Sequence, residues 1–88
     1  MTRWHPPPRP SSPPTVTLTA RQADALALLC VGLTNEQIAR RLHVTVDSVK
    51  TQLRRIYPVL GARGRTHAVA LAVTGHVVIE VDEKGRAA

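Results

Sequence analysis

Phenylalanine is missing from these 88 residues, and tryptophan and tyrosine occur once each. A core without large rings has to be assembled from Leu, Val, Ile and Ala. That suits short, closely packed helices and leaves little apolar surface to line a sizeable catalytic cleft. Cysteine also occurs once, as Cys30, so no internal disulfide can form, and the paired Cys or His spacing of a metal site is lacking around it. Such usage points to a reducing, cytoplasmic setting. The longest apolar runs, residues 25–31 and 68–73, fall far short of the roughly 20 residues that cross a bilayer, and the N-terminal MTRWHPPPRP has no apolar signal segment. No membrane partner is expected. Acidic residues are few as well: six against twelve Lys and Arg, a formal net charge of +6. Between residues 17 and 79 the balance is eight against three, so the excess lies in the part able to fold, and a polyanion becomes the first partner to consider.

What is present is unevenly distributed. Six of the seven prolines fall in residues 1–15, where an extended, solvated chain is favoured and no core can form. Residues 1–16 are therefore expected to be a disordered tail, residues 17–79 one small domain, and residues 80–88 a frayed, charged end. Trp4, between Arg3 and His5, could stack on nucleic acid or dock on a protein, and its plainer reading is a solvated tail residue.

Within 17–79 three threonines look like helix starts. Thr19 with Gln22 and Thr34 with Gln37 fit the capping box, in which each side chain satisfies a backbone amide at the other's position, and Thr45 offers a third N-cap. The first helix then runs over 20–31 with Leu26, Leu29 and Cys30 inward and Gly32 as its stop, which makes Cys30 a small core residue and not a reactive thiol. A second helix follows Thr34, with Ile38, Ala39 and Leu42 inward and Glu36, Arg40 and Arg41 outward. The third, about 46–57, places Val49, Leu53, Ile56 and Tyr57 at i, i+4, i+7 and i+8, opposite Asp47, Lys50, Thr51, Arg54 and Arg55.

Only His43, Val44 and Thr45 separate the second and third helices, a turn tight enough to specify a helix-turn-helix. His43 reads as a turn residue, with no second ligand beside it to suggest a metal. Pro58 lacks the amide that would bond the Arg54 carbonyl, so regular helix is expected to end near Tyr57. A kinked continuation to Leu60 is the other course open. The loop GARGR at 61–65 lacks both the GxxxxGK[ST] spacing and a preceding strand, so it is no nucleotide cradle. A fourth helix spans 65 or 66 to 74 and ends at Gly75. Ala68, Leu71 and Ala72 form its core face, which leaves Val69, Ala70 and Val73 for a second copy of the chain.

The order of caps, apolar positions and glycines resembles the LuxR-type (GerE-like) helix-turn-helix domain from Leu18 to about Ile79. The likeness is carried by LTARQ at 18–22, GLTNEQIARRL at 32–42, VTVDSVKTQL at 44–53, IYPVLGA at 56–62 and RTHAVALA at 65–72. It implies an all-α, four-helix bundle in which the third helix reads DNA, the second braces it on the backbone and the fourth commonly pairs two copies. Carried over residue by residue, Lys50, Thr51 and Arg54 would approach base edges, and Thr34, Asn35, Thr45 and Arg55 would approach phosphates. Three positions depart from the family pattern: Gln22 stands for a usual Glu, Gly64 for a usual Ser and Pro58 for a usual basic residue.

The function implied is sequence-specific binding of double-stranded DNA by a transcriptional regulator. It would be a homodimer through the fourth helix, without cofactor or metal and associated with the cytoplasmic nucleoid. The receiver or ligand-sensing domain that usually accompanies such a domain is not in this sequence. A protein-interaction module of the same fold, binding RNA polymerase or another regulator, is the alternative. An enzyme is not expected, because the acidic residues Asp24, Glu36 and Asp47 fall on separate helices where capping or surface placement accounts for them.

Overall fold

The computed structural model of the chain describes residues 11–82. Trp4 lies outside them, as do most of the tail expected at 1–16 and all but the first three residues of the end expected at 80–88. In order come β1 (Thr15–Thr19), α1 (Ala20–Cys30), α2 (Asn35–Leu42), α3 (Val46–Leu60), α4 (Arg65–Thr74) and β2 (Val78–Asp82). The four helices are those expected, and the two strands were not. They pair in parallel from Thr15 with Val78 to Thr19 with Asp82, which carries ordered backbone outward past both ends of the 17–79 domain.

The starts of α1, α2 and α3 are each made by a threonine. Thr19 Oγ1 accepts from the Gln22 amide at 3.1 Å while Gln22 Oε1 accepts from the Thr19 amide at 3.0 Å. Thr34 and Gln37 repeat the exchange at 3.2 and 2.8 Å, and Thr45 Oγ1 accepts from the Ser48 amide at 3.0 Å. These bonds satisfy amides that the first helical turn leaves open, and each such cap is worth about 1 kcal/mol. The α2–α3 turn is closed by His43 in the left-handed region, φ 57°, where its amide and that of Val44 bond the carbonyls of Arg40 and Ala39. A residue with a Cβ is strained in that region, and the tightness of the turn requires it.

The core is aliphatic throughout. Leu18 of β1, Ile38 of α2 and Val49 and Ile56 of α3 are its largest fully enclosed side chains, with Leu26 and Leu29 from α1, Leu53 and Leu60 from α3, Ala68 from α4 and Val77 before β2. The long α3 is the hub and packs on α1, α2, α4 and β1. Its apolar positions 49, 53, 56 and 60 keep the i, i+4, i+7, i+11 spacing that holds one face inward for the whole length.

Pro58 does not end that helix. Contrary to the stop expected near Tyr57, α3 runs through the proline to Leu60. The ring costs one amide bond in the final turn, and Pro58 itself is exposed, so the orphaned Arg54 carbonyl is on the solvent side where water can reach it. Continuing the helix brings Leu60 into the core at 5 % exposure. Gly61, in the left-handed region at φ 73°, then closes the end: its amide bonds the Pro58 carbonyl at 3.1 Å and the Ala62 amide bonds that of Tyr57 at 2.8 Å.

Candidate nucleic-acid interface

The turn between α2 and α3 leaves the outer face of α3 uncovered. Asp47, Lys50, Thr51, Arg54 and Arg55 are all exposed, and behind them Val49, Leu53 and Ile56 are buried. Lys50, Thr51 and Arg54 stand at i, i+1 and i+4, within one turn and a fraction, so the three residues expected at base edges share a single patch. Arg55 lies at its flank. On α2 the exposed Arg40 and Arg41 line a shallow depression with Leu33 and Gln37.

An open concavity lies between the start of α2, the start of α3 and the start of α4, lined by Thr34, Asn35, Glu36, Val46, Lys50 and Arg65. It brings together two of the residues expected at phosphates, Thr34 and Asn35, with one expected at a base, Lys50. Thr45 is exposed at the N-cap of α3, next in sequence to Val46. The hydroxyls of Thr34 and Thr45 accept from capping amides, which leaves each O–H free to donate to an anion. The amides of the first helical turn add a partial positive charge at the start of α2.

Arg65 is the residue that sequence reasoning missed. Its guanidinium donates from Nη1 to Asn35 Oδ1 at 2.8 Å and from Nη2 to the Leu33 carbonyl at 2.6 Å, tying the first residue of α4 to the first turn of α2. No local pattern foretells a contact across 30 residues. The start of α4 has no side-chain cap at Gly64, and the loop before it is held instead by His67, whose Nδ1 accepts from the Arg63 amide at 3.0 Å.

On α4 the expected division of faces is partial. Ala68 is buried and Leu71 and Ala72 are half-buried, while Ala70 and Val73 are exposed, Val73 at 63 %. Val69 is half-buried against the core, so of the three residues expected at a dimer contact it is the one already engaged within the chain. Cys30 is half-buried at the end of α1, and desolvation pushes its thiol above the ordinary value, as suits a packing residue more than a nucleophile.

With this arrangement in view, the relationship to known proteins is direct. Residues 16–72 match the family described as bacterial regulatory proteins, luxR family. The chain belongs to the luxR family. Among relatives of this luxR-family chain, a probable transcriptional regulatory protein SgaR from Hyphomicrobium methylovorum is 44 % identical over 61 residues, which is 69 % of this chain and 29 % of SgaR. The transcriptional regulatory protein LiaR of Bacillus subtilis (strain 168) is 35 % identical over 65 residues, 74 % of this chain and 31 % of its own. The HTH-type transcriptional regulator AlkS of Pseudomonas putida is 38 % identical over 52 residues, 59 % of this chain and 6 % of AlkS. The chain thus spans less than a third of the length of these curated relatives. The family match begins in β1, takes in the whole of α1, α2 and α3, and ends within α4, so it contains every residue expected to meet DNA.

Proposed function

We propose that this luxR-family chain is a transcription regulator that binds double-stranded DNA sequence-specifically, with α3 in the major groove. One observation carries the reading: the exposed basic face of α3 is backed by four buried aliphatic residues and flanked by the open start of α2. The major groove of B-DNA admits a helix of this width and offers guanine acceptors that Arg and Lys can address. Lys50, Thr51 and Arg54 read base edges, and Thr34, Asn35, Thr45 and Arg55 hold phosphates. Two copies pair through the exposed Ala70 and Val73 of α4, with Val69 at the margin, and so address a two-part site on the bacterial nucleoid.

The competing reading is a protein-interaction module bound to RNA polymerase or another regulator, and the exposed Val73 is the observation in its favour. Titration of the chain against duplex DNA at several salt concentrations separates the two. Neutralising several phosphates releases counterions, so affinity must fall steeply and linearly in logarithmic terms as salt rises. Selection from random duplexes then reports base preference and half-site spacing together. Binding that is absent, or indifferent to salt, overturns the DNA reading.

A further inference from the structure

We infer that Arg65 is a positioning residue for the DNA backbone contact: it orients the Asn35 side chain so that the amide nitrogen is the end left free for a phosphate. The inference rests on the DNA-binding reading above and adds a residue to it. A guanidinium can only donate hydrogen bonds, so the Asn35 atom facing it at 2.8 Å has to be the carbonyl oxygen. The two ends of a primary amide differ in sign. With Oδ1 occupied, the NH2 group is what remains for a partner, and it suits a phosphate oxygen. Without Arg65 the amide turns freely and its oxygen, which repels phosphate, has equal access to the same place.

The second bond, from Arg65 Nη2 to the Leu33 carbonyl at 2.6 Å, makes the grip two-pronged. Leu33 precedes the N-cap Thr34 and Asn35 follows it, so one guanidinium spans the cap from both sides. Lysine has the charge without the planar fork and cannot hold both acceptors in this geometry. Arg65 is the first residue of α4, and Asn35 is the first of α2. Backbone contact through α2 is thereby tied to the placement of α4.

A double-mutant cycle on the full chain tests this, with affinity for a selected duplex read at fixed salt. Arg65→Ala should weaken binding by roughly three- to tenfold, the scale of one well-made hydrogen bond. In an Asn35→Ala background the same change should cost less than twofold, because the group that Arg65 orients is gone. Arg65→Lys should fail to restore wild-type affinity. In the DNA-free protein it should also shift the NMR signals of the Asn35 side-chain NH2, a readout independent of binding. Additive losses in the cycle, or full rescue by lysine, overturn the positioning role and make Arg65 a simple cation. A wild-type chain that shows no salt-dependent DNA binding overturns the functional reading instead, and this inference with it.

Discussion

Leu60 and Pro58 occupy opposite sides of the last turn of α3: Leu60 is buried and Pro58 faces solvent. The leucine gains from helix continuation what the proline loses in one amide bond, and the outcome is an unbroken helix. Replacing Pro58 with arginine supplies the missing amide opposite the Arg54 carbonyl and removes the ring that crowds it. Pro58→Arg should raise unfolding free energy by about 1 kcal/mol, since part of the gain is offset by the greater freedom of the unfolded chain. It should also tighten DNA binding without changing the preferred sequence. Denaturant unfolding and duplex titration check both; a lower midpoint would mean that the end of α3 is fitted to the proline.

Leu18 is fully enclosed although it sits on a two-stranded sheet at the margin of the domain. Leu18→Ala should therefore cost about 2–5 kcal/mol, as for any large aliphatic residue removed from a core. Val78→Ala, on an exposed position of β2, should cost less than about 0.5 kcal/mol. Equal and small losses would show that β1 is not part of the cooperative unit.

The cap residues and inward faces were legible because they are local. A capping box needs four residues and a helical stripe needs eight to fifteen, so Thr19, Thr34, Thr45 and the apolar positions of α3 declared themselves. The β1–β2 pair was not legible, because two five-residue strands meet across four intervening helices and a parallel pair has no hairpin turn to announce it. Likewise the end of α3 was decided by Leu60 reaching the core, a tertiary gain that the rule for proline does not contain. Arg65 belongs with these: its role depends on two acceptors distant in sequence.

Arg54 and Arg55 are adjacent on α3 and should behave differently. Arg54→Ala, if the side chain meets a guanine, should cost about 1–3 kcal/mol and relax preference at one base pair. Arg55→Ala should weaken all duplexes alike and reduce the logarithmic salt slope by about one. Unchanged affinity in both variants would remove them from the interface.

Val73→Glu places a charge on an exposed valine of α4 without touching the core. Affinity for a two-part site should fall while affinity for a half-site and the unfolding midpoint stay as they were. Sedimentation at rising concentration is the direct check, and a wild-type chain that stays monomeric both alone and on DNA would refute pairing through α4.

The direction of the β1–β2 ladder sets how the domain responds to pulling. Because the strands are parallel, the chain enters the ladder beside the Thr15–Val78 pair and leaves it beside the Thr19–Asp82 pair, at the opposite end. Tension between the flanking segments therefore loads the ladder in shear, across all five register pairs at once, where an antiparallel pair with its free ends together would unzip one rung at a time. Resistance to force is governed by the barrier to unfolding more than by equilibrium stability. The strand pair, with Leu18 rooted in the core, can thus act as a mechanical clasp, keeping a tug on either end from reaching the four helices between the strands.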